Sequence, residues 1–249
     1  MNAMAEFQIS EQFKPVPVAL GSGPLAALKF RLRSWADLQL LTCLRFLVAN
    51  RALLRGKVLD VGCGQMPFRH LVPANAAYTG IDIPAADSFG MDRHADIIEF
   101  DGTTIPFPDN HFDTVLCTEV LEHAINPAAL IAEMHRVLKP GGALVMTVPF
   151  AARVHHIPYD FHRFTRYALA QMFGGFGRVT IEERGNDLAV IANKIIVATI
   201  RQLTPLRLPL LLVGIPASIA SLALAHLAMW FGWGSKLDPL GYGLTARKD

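Results

Sequence analysis

Residues 58–68 read VLDVGCGQMPF, and this stretch decides the fold. Val58, Leu59 and Val61 form a short apolar, β-rich run of the kind that a strand buried on both faces requires. Gly62 and Gly64 break that strand where a helix can start. Glycine there permits positive φ and lets a ligand press against bare backbone. About twenty residues further on, Asp82 closes a second strand in YTGID (residues 78–82). A nucleoside-binding sheet places a carboxylate on the two ribose hydroxyls at that spacing, so the pair of motifs points to an adenosine-type ligand. A dinucleotide site needs a third small residue in G-x-G-x-x-G/A, and Pro67 stands there instead. The chain also has no Walker-type phosphate loop.

Downstream, Asp101-Gly102 ends a third expected strand (residues 96–100). It is followed by IPFPDNHFDTVLCTEVLEH (residues 105–123) and HRVLKPGGALVMTVP (residues 135–149). In order and wording, residues 56–149 resemble the class I S-adenosylmethionine-dependent methyltransferases, type 11-like branch. Pro67-Phe68-Arg69 in place of a third glycine resembles a bacterial subgroup of mostly unassigned substrate, some members of which are associated with surface-glycan pathways.

The resemblance implies S-adenosyl-L-methionine as cofactor and assigns residues to it. Asp82 would accept two charge-assisted bonds from the ribose diol. Asp101 would take the adenine amino group, with the Gly102 N–H beside it. Gly62 and Gly64 would pass under the amino-acid end, with Asp60 on its ammonium. Thr118 and Glu119, at the mouth of strand four, would face the ligand across the crevice. Two alternatives stay open: Asp60 as a cap of the next helix, and Glu119 as a cap of the one after it. The spacing Glu119, Glu122, His123 also resembles a magnesium-binding cluster of ubiquinone-pathway O-methyltransferases. Glu-His after strand four is, however, common in this branch as part of the pocket floor, and the expectation is no metal.

Methyl transfer to a hydroxyl needs an aligned acceptor and a base for its proton. PFAARVHHIPYDFHRFT (residues 149–165) resembles the subgroup pattern H-x-x-P-Y-D-F-x-R-[FY]-[TS]. His155 is the first candidate base, His156 the second, and Asp160 belongs to the same motif. Asp160 and Arg163, three apart, can equally pair to hold the loop. Three histidines in eight residues lack zinc-type spacing with cysteine. Thr165 reads as the N-cap of a helix over 166–173, and Asn126-Pro127 opens another over 127–138.

At 249 residues and net charge +2, one domain is expected and no nucleic-acid partner is indicated. Cys43, Cys63 and Cys117 are scattered, as suits a reducing compartment and a cytoplasmic location. Residues 1–24 read as a flexible tail and lack the form of a secretion signal. The domain is expected over 25–249, as a Rossmann-like, doubly wound α/β sheet of seven strands. Strand six is placed near 178–183 and an antiparallel last strand at 242–248, with an apolar helical insert over 185–241 between them.

Apolar content is 52%, and residues 208–235, about 28 in a row, contain no Asp, Glu, Lys or Arg. About 20 apolar residues span a bilayer. Two strands of one sheet must nevertheless lie on one side of a membrane, so the insert crosses an even number of times or not at all. Its first half carries Lys194 and Arg201 on one helical face, and Pro209, Gly214 and Pro216 are expected to interrupt the second. A first helix over 25–54 adds Lys29, Arg31, Arg33 and Arg45 among leucines. Three readings of the insert follow: peripheral contact with anionic lipid, a lid or oligomer interface, and a spanning hairpin. Three functions follow in turn: methylation, favouring oxygen, of a hydrophobic, lipid-linked or envelope-glycan acceptor; methylation of a soluble small molecule; and a non-catalytic membrane-associated scaffold.

Overall fold

In a computed structural model, residues 18, 21, 23–84, 95–201 and 208–249 are described. Most of the expected tail therefore lies outside the described residues. The apolar run is β1 (Lys57–Val61), buried from Val58 onward. It pairs in parallel with β2 (Ala77–Asp82) on one side and β4 (Phe112–Thr118) on the other. Beyond β2 lies the short β3 (Ile98–Glu99). Beyond β4 come β5 (Leu138–Pro149), β7 (Gly241–Arg247) and β6 (Arg178–Arg184), in the order β3-β2-β1-β4-β5-β7-β6. Only β7 runs antiparallel to its neighbours. The strand order reverses between β1 and β4, which opens a crevice beyond their C-terminal ends.

Both faces of the sheet are covered. On one, Val115, Cys117, Leu144 and Met146 pack with Leu130, Ile131 and Met134 of α3 (Pro127–Val137) and Leu169 of α4 (Arg166–Met172). On the other, Leu116 and Val145 meet Cys43, Phe46 and Leu47 of α2 (Leu38–Ala49). Asn126 and Thr165 cap α3 and α4 by accepting from the N–H groups of Ala129 and Ala168, as their sequences indicate.

Four local expectations are corrected. The single first helix is two, α1 (Pro24–Ala36) and α2, divided at Asp37, whose backbone is extended (ψ 98°) and whose carboxylate accepts from Leu40 N–H as the α2 cap. The third strand is limited to Ile98–Glu99, where it can pair with β2. No α-helix follows the glycine turn. A single 3₁₀ turn, Arg69–Leu71, stands there between Pro67 and Pro73. The second apolar run is not interrupted: besides α5 (Asp187–Ile200), the insert holds α6, continuous over Leu208–Phe231 with Pro216 inside it. Pro209 sits in the first turn of α6, where its missing N–H has no intrahelical partner to lose.

α5 and α6 lie against each other as a hairpin. At Gly214 a Cβ would stand 2.8 Å from Thr199 Oγ1, which donates to the Gly214 carbonyl and accepts from Ser218 Oγ. Leu222 and Ala225 then join Ala189, Val190 and Ala192 of α5 with Leu38 at the head of α2.

Candidate active site

The glycine turn leaves β1 with Gly62 at φ +67° and Gly64 at φ +50°. A Cβ on Gly62 would lie 2.4 Å from Val120 Cγ2, so the turn is pressed against the segment leaving β4. The Gly64 N–H donates to Asp82 Oδ2 at 2.7 Å, and the Ile83 N–H donates to Asp82 Oδ1 at 2.7 Å. Each carboxylate oxygen has two acceptor sites, so Asp82 retains one on each for a diol. Burial pushes its pKa up against the pull of those two N–H groups.

Asp60 lies on β1 directly below the turn, 1% exposed. Its Oδ2 accepts from Tyr78 Oη at 2.6 Å, while Oδ1 has no hydrogen-bond partner among the described residues. Burial raises its carboxyl to about 7, with the Tyr78 hydrogen bond opposing and the Asp82 charge adding to the rise. It caps no helix. A buried acceptor without a partner costs about 1–3 kcal/mol, and a ligand ammonium would satisfy it.

Beyond β3, Asp101 is exposed and turns one oxygen inward on the Thr103 and Thr104 N–H groups, at 2.8 and 2.6 Å. Those N–H groups hold its carboxyl below the usual range. Gly102 follows at φ +81°. The segment leaving β4 starts with Thr118, half-buried, and Glu119 at φ +54°. Glu119 Oε1 accepts from Arg184 Nη2 at 2.7 Å and caps no helix. Arg184, 3% exposed at the end of β6, also donates to the Tyr242 and Val148 carbonyls. It clamps Glu119 to the far half of the sheet. Nothing near Glu119 in the sequence marks Arg184, 65 residues away, as its partner.

The loop after β5 is built around a forked ion pair. Arg163 donates to both oxygens of Asp160, at 2.5 and 2.7 Å, and to the Arg153 carbonyl at 3.0 Å. Asp160 in turn accepts from the His155 N–H at 3.0 Å and stands 3.2 Å from His155 Nδ1. Burial favours the neutral acid, but Arg163 and His155 outweigh it and hold Asp160 well below the usual carboxylate range. Asp160 is thus the loop's keystone. His155 Nδ1 also lies 3.0 Å from the Arg153 carbonyl. Both neighbours of Nδ1 are acceptors, so that nitrogen carries a proton, and in the neutral ring Nε2 holds the lone pair.

The loop closes on the turn after β4. Glu122 accepts two backbone N–H groups, from Phe161 and His162, at its carbonyl. Its carboxylate is wholly buried, with no hydrogen-bond partner for either oxygen among the described residues. Burial, then the Glu119 charge, raises its pKa well above the usual range. Adjacent His123 donates from Nδ1 to the Tyr159 carbonyl at 2.8 Å, and its ring lies 4.8 Å from that of His155 and 5.3 Å from that of His156. His156 sits at φ +53°, its basicity lowered to about 4 by burial and by its histidine neighbours. The spacing Glu119, Glu122, His123 is therefore split by the fold: Glu119 goes to Arg184, while Glu122 and His123 go to the histidine loop.

Residues 59–146 match the family model described as Methyltransferase domain. Sterol 24-C-methyltransferase ERG6B of Gibberella zeae is 38% identical over 97 residues, 34% of this chain and 26% of that protein. Ubiquinone biosynthesis O-methyltransferase of Pseudomonas paraeruginosa is 34% identical over 113 residues, 40% of this chain and 47% of that protein. The chain spans about a quarter to a half of the length of these curated relatives. Among solved structures, the [4+2]-cyclase SpnF is 25% identical with TM-score 0.52, covering 84% of this chain and 81% of its own. A SAM-dependent methyltransferase from Thermotoga maritima gives 13% identity and TM-score 0.52, covering 90% and 97%. The last likeness concerns the fold alone.

Proposed function

Residues 59–146 form a methyltransferase domain, and from that premise we propose that the chain transfers a methyl group from S-adenosyl-L-methionine to an oxygen of a hydrophobic, lipid-linked or envelope-glycan acceptor. One observation carries the cofactor: the buried, partnerless Asp60 Oδ1 beneath a glycine turn that is itself bonded to Asp82. Asp60 would hold the ammonium, Asp82 the ribose diol, and Asp101 with Gly102 the adenine edge. Thr118 would line the crevice, and Glu119 would do so while tied to Arg184. When bound, the cofactor supplies a methyl group on a sulfonium that leaves as a neutral thioether. His155 accepts the acceptor's proton at Nε2, and Asp160 fixes its ring and offsets the imidazolium charge. The loop it belongs to shields the reacting atoms from water. His156, held neutral by its surroundings, is the second base.

The acceptor class follows from the insert. The face of α6 turned away from α5 exposes Leu212 (73%), Val213, Ile219, Leu224, Leu227 and Trp230 (82%). Pro209–Phe231, 23 residues, is long and apolar enough to cross a bilayer. α5 is not: 14 residues rise about 21 Å against a core of about 30 Å. Since β6 and β7 share one sheet, α6 cannot cross alone. The hairpin lies in the interface plane instead, with Trp230 and Trp233 at one end and Lys29, Arg31 and Arg33 of α1 contributing a basic rim toward anionic lipid. On this reading the protein works in the cytoplasm, at the inner face of the membrane.

The test is methyl transfer from radiolabelled S-adenosylmethionine into a cell extract, with organic–aqueous partition. Label in the organic phase is the expected result. Label in the aqueous phase alone means a soluble acceptor and makes the hairpin a lid. No label, with no calorimetric binding of the cofactor, removes the methyltransferase reading; the similar cyclase shows that a related fold can serve other chemistry.

A further inference from the structure

The fold brings His123 to the adjacent pair His155 and His156, which lie far from it in the sequence. One ring nitrogen each from His123, His155 and His156 lie within 4.8 Å of one another, and all three residues are half-buried and reachable from solvent. Nitrogens sharing one tetrahedral zinc at bonds of 2.0–2.1 Å stand about 3.4 Å apart, so closing on an ion needs only small side-chain rotations. Two of the rings are already held as ligating histidines are. His123 and His155 direct Nδ1 to backbone carbonyls, Tyr159 at 2.8 Å and Arg153 at 3.0 Å, which leaves Nε2 with its lone pair. Ligand histidines are oriented by such outer contacts.

A second observation points to a cation. Glu122 is fully buried, neither carboxylate oxygen has a hydrogen-bond partner among the described residues, and Oε1 lies 3.6 Å from His123 Nε2. Buried polar groups in native proteins are nearly always paired, and a buried carboxyl beside the His123 imidazole would ionise to supply counter-charge when a divalent ion is seated. We propose that His123, His155 and His156, with Glu122 beside them, form a binding site for one divalent transition ion of the zinc class. Three nitrogen donors suit zinc, cobalt or nickel, whereas magnesium and calcium demand oxygen. The set differs from the Glu-x-x-Glu-His spacing in the sequence, because Glu119 is engaged by Arg184 at 2.7 Å.

An ion seated here takes His155 Nε2 out of use as a base and puts a Lewis acid in the same place, able to bind an acceptor oxygen and lower its pKa so that its proton passes to solvent. The assignment of the acceptor end rests on the methyltransferase reading; metal binding does not, and its test reads the metal alone. Demetallated full-length protein is titrated with Zn²⁺ and Co²⁺ by calorimetry and absorption. One equivalent is expected to bind, with cobalt d–d bands of a four- or five-coordinate site and no thiolate charge-transfer band, since Cys43, Cys63 and Cys117 are buried. Mg²⁺ at equal concentration is expected not to compete. His123→Ala and His155→Ala should each weaken binding at least tenfold and Glu122→Gln about tenfold, while His162→Ala leaves it unchanged. Absence of stoichiometric binding, a thiolate band, effective Mg²⁺ competition, or undiminished affinity in folded His123→Ala protein overturns the site. If a variant fails to fold, the wild-type cobalt spectrum and the Mg²⁺ competition still decide.

Discussion

Asp60 is a carboxyl whose acidity depends on what lies beside it. Its folded value, about 7, stands above the ordinary 3.8 of an aspartate. The sign follows from linkage: the folded form binds the proton more tightly, so the stabilisation is complete below about 3.8 and is lost as pH rises to about 7. Ligand-free protein is expected to lose melting temperature across that window, and Asp60→Asn should flatten the loss. An unchanged slope in the variant would mean that Asp60 does not titrate there. Saturating S-adenosylmethionine should flatten it too, because an ammonium stabilises the ionised carboxylate. At Asp82 the expected effect is on affinity. Charge-assisted bonds contribute about 1.5–3 kcal/mol each, so Asp82→Ala should weaken cofactor binding roughly a hundredfold by calorimetry, with the helical circular dichroism retained. A loss under threefold would remove Asp82 from the site. Both aspartates are legible from the sequence, because strand ends and glycines mark them. The pairing of Asp160 with Arg163 is legible as an alternative, three residues being within reach. The gathering of His123 with His155 and His156 is not, since it depends on how the loop after β5 folds back over the turn after β4.

Elements show the same division between local and distant causes. Gly62 joins two of them: with its φ of +67° and Val120 only 2.4 Å from where a methyl group would stand, the β1 turn and the β4 exit are one packed unit. Gly62→Ala combines left-handed strain of about 1–2 kcal/mol with overpacking of about 1–3 kcal/mol. Denaturant unfolding should show a loss of roughly 2–5 kcal/mol, with Val120→Ala restoring only the packing share. Full restoration would show that the backbone angle is unimportant. The caps at Asn126 and Thr165 and the alternating strands are readable because each rests on neighbours in sequence. The breaks are less so. Asp37 divides the first helix through a side-chain bond to Leu40 within an otherwise helical pattern. Pro216 fails to divide α6, whose docking along α5 outweighs the loss of one helical hydrogen bond, a cost of about 3 kcal/mol in isolation. Tertiary packing settled the second, and no window of sequence contains it.

For the whole molecule the decisive contrast is between a sheet core closed on both faces and a hairpin closed on one. The exposed face of α6 is expected to hold the protein on vesicles containing anionic lipid in a flotation assay. Leu212→Ser with Trp230→Ser should abolish flotation while leaving cofactor affinity unchanged, and raised salt should weaken it through the α1 cations. Flotation that survives both changes would mean that the hairpin is not the contact. One row of the sheet gives this arrangement a further meaning. Pro149 pairs with Gly241, and Gly241 pairs with Arg184. The histidine loop departs after the first of these residues, and the hairpin leaves after the last and returns at the middle one. Two working parts thus share one rung as their fixed point, like two doors hung on one post. On the proposed reading, order imposed on either would be felt at the other, and thermodynamic reciprocity would make the effect equal in both directions: a bilayer steadying the hairpin would tighten the grip on acceptor, and a bound acceptor the grip on the bilayer.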